Sequence, residues 1–274
     1  MPEKIKLDLG SLQKTLLLPL WGRAIETRRT HPLLEDKAAA QIIDSLDYDF
    51  STIARNINPV TQYAWIARSI HIDRTIRRFL RDYPEATVVN LGCGLDTTFD
   101  RVDNESLQWY DLDLPDVIDL RRKFIHEQAR RKFIGSSLFD DAWLRGIAVR
   151  DNILFLAAGV FYYFEEDQMR EFFIKLANLF PESEAIFDAA SPLGVRVANK
   201  VVIQAGGMDD QSILRWGMKE IKEIQLWDTR IKVLEEYPMF RGMKKGLSVR
   251  MRIVTFESDI LKIMSMVHLK FVKQ

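Results

Sequence analysis

Cysteine occurs once in 274 residues, as Cys93, which excludes an intrachain disulfide framework and any multi-cysteine zinc site. That usage fits a reducing compartment, and the cytoplasm is the expected location. A charge excess is missing as well: lysine plus arginine and aspartate plus glutamate stand at 39 each. No global field therefore steers the chain toward nucleic acid or an anionic membrane, and neither is expected as a partner. The four histidines, His31, His71, His126 and His268, lack metal-ligand spacing, so no metal is expected and they read as structural. The longest apolar run, Ile153–Phe164, is roughly a dozen residues where a membrane helix needs about 20. The opening MPEKIKLDLG has no basic stretch leading into an apolar core and a small-residue cleavage site, so no secretory signal is expected.

What is present is enough apolar material for a full core, 47% of residues, at a length that favours one large domain or one domain with an extension. Up to about Tyr83 the pattern is helical: Pro32–Leu46 and Thr61–Leu80 place apolar residues such as Ile66, Ile70, Ile76 and Phe79 at helical spacing. Pro84 ends that stretch. From Ala86 onward short apolar runs alternate with helical segments. The predicted strands are Thr87–Leu91, Gln108–Leu112, Lys132–Gly135, Asn152–Ala157 and Ala185–Asp188; the predicted helices are Thr97–Arg101, Val117–Gln128, Asp141–Gly146 and Glu166–Phe180. Such alternation argues an α/β fold with a parallel sheet covered on both faces. Beyond it, Val195–Lys222 reads as largely helical, with Ile213, Leu214, Trp216 and Met218 at helical spacing and Gly206-Gly207 as a hinge. Ile231–Glu235 and Met264–Phe271 read as closing strands.

In open sheets of this kind the ligand lies at the carboxyl ends of the strands, and the first strand-to-helix turn is the first place to look. Here it is Asn90-Leu91-Gly92-Cys93-Gly94-Leu95-Asp96. Gly92 and Gly94 let the backbone turn tightly and approach a ligand. The dinucleotide fingerprint asks for a third glycine where this chain has Thr97. Asp96 would crowd a pyrophosphate, whereas it suits the ammonium of a methionine moiety. S-adenosyl-L-methionine is thus favoured over a nicotinamide cofactor. At the end of the second strand, Asp113 lies about 20 residues beyond the loop, where a carboxylate can accept both ribose hydroxyls, and Leu114 follows it. Asp111 is the second choice, with helix capping as its other reading. After the third strand Ser137, Leu138 or Asp140 can supply an adenine contact, although Asp140 also suits a helix cap. Ala157 and Ala158 lead into an aromatic stretch, Phe161–Phe164, that forms a floor or simply core.

The segments Thr15–Arg28 (TLLLPLWGRAIETR), Val88–Phe99 (VVNLGCGLDTTF), Trp109–Pro115 (WYDLDLP), Ala158–Phe164 (AGVFYYF) and Phe187–Pro192 (FDAASP) resemble the leucine carboxyl methyltransferase family, in its bacterial polyketide O-methyltransferase branch. The resemblance implies a class I, Rossmann-like methyltransferase sheet in one domain spanning 1–274. That domain divides into a helical N-terminal extension (1–83), a cofactor-binding core (84–190), a lid-like insertion after the fifth strand (191–230) and C-terminal strands with a helix (231–274). It implies S-adenosyl-L-methionine as cofactor, S-adenosyl-L-homocysteine as product, and methyl transfer to an oxygen, a carboxylate or a hydroxyl. It also implies that Arg68, on the helix before the first strand, meets the cofactor carboxylate. The family carries an acidic residue where this chain has Ala158. The region after residue 190 is unlike the part that accepts a protein C-terminus, so a small-molecule or polyketide-like acceptor is expected.

The expected cofactor set is therefore Arg68, Asn90, Gly92, Cys93, Gly94, Asp96, Asp113, Leu114, Ser137, Leu138, Ala157 and Ala158. Arg28, Tyr162, Tyr163 and Arg196 are candidates for an acidic acceptor. No catalytic residue is assigned, because an ionised carboxylate acceptor needs no general base, whereas a phenol would. Two other readings stay open: a non-catalytic relative that keeps the cofactor fold, and a nicotinamide-dependent oxidoreductase. A homo-oligomer is compatible with the sequence.

Overall fold

Val88, Val89 and Leu91 of β1 (Thr87–Leu91) have no measurable exposure, and every residue of that strand is buried, which requires cover on both faces of the sheet. A computed structural model describes residues 4–5, 11–200, 213–243 and 247–273. In it β1 is flanked by β2 (Gln108–Asp113) and β4 (Ile153–Ala157), with β3 (Arg131–Gly135) outside β2 and β5 (Glu184–Ala190) outside β4. These five strands are parallel. Two antiparallel strands close the far edge, β7 (Met264–Phe271) beside β5 and β6 (Ile231–Pro238) beside β7, giving the order β3-β2-β1-β4-β5-β7-β6. The chain leaves β1 toward one edge and returns to build the other from β4. The crevice at the carboxyl ends of β1 and β4 is the switch point, where ligands of open α/β sheets bind.

Ten helices are described among these residues: α1 (Ser11–Thr27), α2 (Lys37–Ser45), α3 (Ser51–Asn56), α4 (Pro59–Asp82), α5 (Thr98–Val102), α6 (Pro115–Arg122), α7 (Asp141–Gly146), α8 (Glu166–Leu179), α9 (Pro192–Ala198) and α10 (Val249–Ile260). The start of α4 follows from Asn58, whose side chain accepts from the Val60 amide, and from Pro59 in the first turn, which gives up no needed donor. Its apolar stripe, Ile72, Ile76 and Phe79, packs on one sheet face; Phe172, Phe173 and Leu176 of α8 cover the other. A third cluster joins Leu17 and Leu20 of α1 and Ile42 of α2 to Ile118 and to Cys93 and Leu95 of the first loop. The N-terminal helices are thereby packed onto the carboxyl edge of the sheet.

Most predicted elements shift by one to three residues at their ends. The segment predicted over Pro32–Leu46 becomes helical only from Lys37, and three others depart further. The helix predicted over Val117–Gln128 ends at Arg122; α3 carries no periodic signal and was not expected; and Val195–Lys222 is not one helix. There α9 stops at Ala198 and residues 213–218 run without helix. Their backbone donors go elsewhere, the Arg215 and Trp216 amides to the Tyr162 carbonyl and the Met218 amide to the Ala190 carbonyl, so the apolar spacing of Leu214, Trp216 and Met218 is that of an extended segment pinned to the sheet end. Gly206-Gly207 lies outside the described residues. Among the described residues no helix is long and apolar enough to cross a membrane.

Candidate active site

The loop after β1 turns through two left-handed glycines, Gly92 at φ +60° and Gly94 at φ +47°. A Cβ on Gly92 would lie 2.7 Å from Val160 Cγ2, so neither backbone shape nor space admits another residue there, while at Gly94, where the near atom is the movable Leu16 Cδ2 at 2.9 Å, the left-handed backbone sets the requirement. The Gly94 amide donates to Asp113 Oδ2 at 2.7 Å and the Leu114 amide to Asp113 Oδ1 at 2.8 Å. From the other side Arg121 donates to the carbonyls of Gly94 at 2.7 Å and Asp96 at 2.8 Å. Carbonyls are thereby drawn inward to the arginine, and the glycine amide is drawn toward the strand-end carboxylate.

This loop forms one wall of a cavity of about 700 Å³, within the range of roughly 300–1,000 Å³ usual for ligand sites. Of the expected cofactor set, Arg68, Asn90, Gly92, Cys93, Gly94, Asp96, Asp113, Leu114, Ser137, Leu138 and Ala158 all line it. Ala157 does not; it closes β4 in the core, 1% exposed. Tyr162 and Tyr163 line it too. Arg28 and Arg196 do not. Arg28 is exposed and paired with Asp44 at 2.7 Å, and Arg196 projects from the solvent side of α9, whose Gly194, Val197 and Ala198 face the cavity instead.

The two carboxylates of β2 have separate tasks. Burial pushes the Asp113 carboxyl above the usual range, against the two backbone donors. Asp111 is fully buried and away from the cavity, accepting from Arg121 and Arg131 at 2.8 and 2.9 Å, from Trp109 Nε1 at 2.8 Å and from Asn90 Nδ2 at 3.1 Å. It caps no helix. Asp140 does not line the cavity; it stands at the N-cap position of α7 without a side-chain cap bond, and instead accepts from Ser136 Oγ at 2.8 Å and from the Ser137 amide at 3.2 Å, holding the turn that presents Ser137.

Asp96 sits in a network the sequence does not announce. Arg23 of α1 bonds Asp36 at 2.8 Å and lies 3.9 Å from Asp96; Arg101 bonds Asp36 at 2.7 Å and Asp73 at 2.8 Å. Burial opposes the charge of Asp96, but Arg23 and Arg101 outweigh it and hold the carboxyl at about 2. Across the cavity, Arg68 donates to Asp188 at 2.9 Å and to the Tyr162 hydroxyl at 3.4 Å, and Asp188 also accepts the Gly159 amide at 2.6 Å. Asp188 was missed although it stands at the carboxyl end of β5, where the strand-end rule points. Arg23 had no such signal. The four histidines are absent from the cavity wall; His71 meets the Met239 carbonyl and His268 meets Glu184. Among the described residues no cluster suits a metal ion.

A family model described as leucine carboxyl methyltransferase matches residues 17–177, from α1 through the fourth strand into α8. The chain belongs to the leucine carboxyl methyltransferase family. This leucine carboxyl methyltransferase family member is 30% identical over 241 residues, 87% of its own length and 86% of the relative's, to the tetracenomycin polyketide synthesis O-methyltransferase TcmP of Streptomyces glaucescens. It is 30% identical over 217 residues, 73% of each chain, to the S-adenosyl-L-methionine-dependent methyltransferase dpfgK of Gibberella zeae. Among solved structures, a duf574 family protein from Streptomyces avermitilis superposes with a TM-score of 0.61 at 10% identity, covering 93% of this chain and 96% of that one. The plantazolicin methyltransferase BamL, solved with S-adenosylhomocysteine, gives 0.51 at 11% identity, covering 96% and 98%. At such identities the structures speak for the fold, a class I α/β methyltransferase sheet.

Proposed function

We propose that this enzyme transfers the methyl group of S-adenosyl-L-methionine to an oxygen of a small-molecule acceptor, leaving S-adenosyl-L-homocysteine. The observation that carries the reading is the pairing of the Gly94 amide with Asp113 at the switch point. A carboxylate offers about four lone-pair positions. The two backbone donors take one on each oxygen, which leaves one on each for a pair of vicinal hydroxyls. The cavity wall fits the remaining parts of the cofactor: Asp96, held ionised, for the ammonium; Arg68 for the carboxylate; Ser137 and Leu138 for the base.

Bound there, the cofactor supplies an electrophilic methyl group on a sulfonium, open to in-line displacement by the acceptor oxygen. The chain's part is placement. Arg121 and Asp113 fix the loop from both sides, Asp188 fixes Arg68, and α1 closes the wall with Leu16 and Leu18, so that the reacting atoms meet in a dry, shaped space. Gly194, Val197, Ala198 and Leu214 from the insertion line the same cavity, which supports its role as a cover over the acceptor side.

Calorimetry against S-adenosylhomocysteine and NAD, paired with transfer of labelled methyl from S-adenosylmethionine into a small-molecule extract, tests the reading. Binding of the former with label in a small molecule is the expected result. A heat with NAD and none with S-adenosylhomocysteine would point to an oxidoreductase, and cofactor binding with no transfer to any acid or hydroxyl compound to a non-catalytic relative.

A further inference from the structure

We infer that α10 is the contact face of a two-fold dimer, in which the helix lies antiparallel against α10 of a second copy of this chain.

Thr255 is the one buried residue of α10, and Met251 beside it packs partly on the cluster that holds α4. A helix of about a dozen residues draws most of its stability from packing of an apolar face. The larger apolar face of α10 points the other way. Val249, Ile253, Phe256 and Ile260 recur at spacings of four, three and four, the seam of a helix that meets another helix. They are 75%, 53%, 51% and 63% exposed, and a contiguous apolar patch of this kind marks an interaction surface.

The charges beside this seam select a second copy as the occupant. Arg250 and Arg252 lie in the first turn and Glu257 and Asp259 near the end, the reverse of what the helix dipole favours. Read backwards, the order apolar, basic, basic, apolar, apolar, acidic, acidic, apolar is the same with the signs exchanged. An antiparallel copy therefore sets Val249 opposite Ile260 and Ile253 opposite Phe256, each contact made twice, as a two-fold interface requires. Arg250 and Glu257 stand two turns apart on one flank of the seam, and Arg252 and Asp259 two turns apart on the other. Each arginine of one copy then meets an acid of the other, Arg250 with Glu257 and Arg252 with Asp259, and the charges disfavoured by their own helix end are met from across the contact. A lipid surface would instead meet a carboxylate on both flanks, which anionic headgroups repel. Val254, Glu257, Ser258 and Leu261 of the same segment line the cavity, so the second copy stands beside the cavity rim and braces that wall.

Analytical ultracentrifugation of the full-length chain at micromolar concentration tests the pairing, and the mass of two chains is expected. Ile253→Asp should give single chains with an unchanged circular dichroism spectrum; a dimer that survives it places the contact elsewhere and overturns the inference. Arg250→Glu and Glu257→Arg, each alone, set like charges across the contact at both symmetry-related places and should weaken self-association by about tenfold or more. Mixed in equal amounts, the two variants should recover a dimer of one chain of each kind, because every pair then joins opposite signs. A mixture as weak as its components overturns the antiparallel register. A parent that stays a single chain overturns the inference outright. In that case a lower unfolding temperature for Ile253→Asp would mean that the chain itself covers the face, and flotation of the parent with phosphatidylcholine vesicles would make it a lipid face.

Discussion

Asp113 receives the Gly94 amide at 2.7 Å, so one carboxylate both holds the glycine loop in place and faces the cavity that the loop lines. Replacing it removes two functions at once. Asp113→Ala is expected to weaken S-adenosylhomocysteine binding by roughly a hundredfold, the loss of about two charge-assisted hydrogen bonds, as measured by isothermal calorimetry. A variant that binds as tightly as the parent would remove Asp113 from the site.

Asp111, two residues earlier, should behave differently. It is the shared counter-ion of Arg121 and Arg131, all three nearly inaccessible. Asp111→Ala leaves two buried guanidiniums without it and is expected to cost about 3–5 kcal/mol of folding stability, read from denaturant unfolding. The contrast between neighbouring aspartates, one a loss of affinity and the other a loss of stability, separates ligand from scaffold.

Gly92→Ala asks a left-handed residue to carry a Cβ 2.7 Å from Val160. Loss of about 1–3 kcal/mol is expected from backbone strain and the clash. Adding Val160→Ala should recover the steric part and not the backbone part, a coupling that a double-mutant cycle by thermal unfolding would reveal. Strict additivity of the two changes would mean that Val160 does not confine the loop.

The acid limb of stability should carry the mark of Asp96. Its folded value of about 2 lies below the ordinary 3.8, so its ionised form favours the folded state. That contribution is complete above the ordinary value and is lost as pH falls through about 2. Asp96→Asn should remove this part of the acid dependence, seen as a shallower loss of stability between about pH 5 and 2. Asp113, raised by burial, has the opposite sign: its contribution is present below the ordinary value and lost as pH rises through the folded one. Hydroxyl donors on a bound ligand favour its ionised form, so S-adenosylhomocysteine affinity should rise with pH across that interval and then level off.

Arg28 supplies the negative control. Its pair with Asp44 is solvent-exposed and should contribute about 0–1 kcal/mol, so Arg28→Ala should leave stability and turnover almost unchanged. A marked fall in turnover would place a substrate near α1's end after all.

The glycine loop, its strand and Asp113 were legible because each is a local matter: a left-handed turn needs glycine, and a strand end sits at a countable distance along the chain. The tetrad of Arg23, Asp36, Asp73 and Arg101 was not, since its members come from three helices and the N-cap of a fourth and meet only after packing. Residues 213–218 misled for a related reason. Their apolar spacing suits a helix, yet the carbonyls of Tyr162 and Ala190 claim their amides in an extended form. Arg28 and Arg196 were read from charge alone, and charge on a helix says little about which side of it faces a cavity.

Arg23 belongs to α1, and Asp96 to the loop that follows β1. The acid on this loop is thus neutralised in part from outside the core that carries it. The extension cannot be exchanged between relatives as a passive cover. A graft or a truncation that omitted Arg23 would leave the sheet intact in outline but deprive Asp36 and Asp96 of a guanidinium that both face, and the first consequence would be an imbalance of charge beside the glycine loop, felt before any contact with the acceptor was lost.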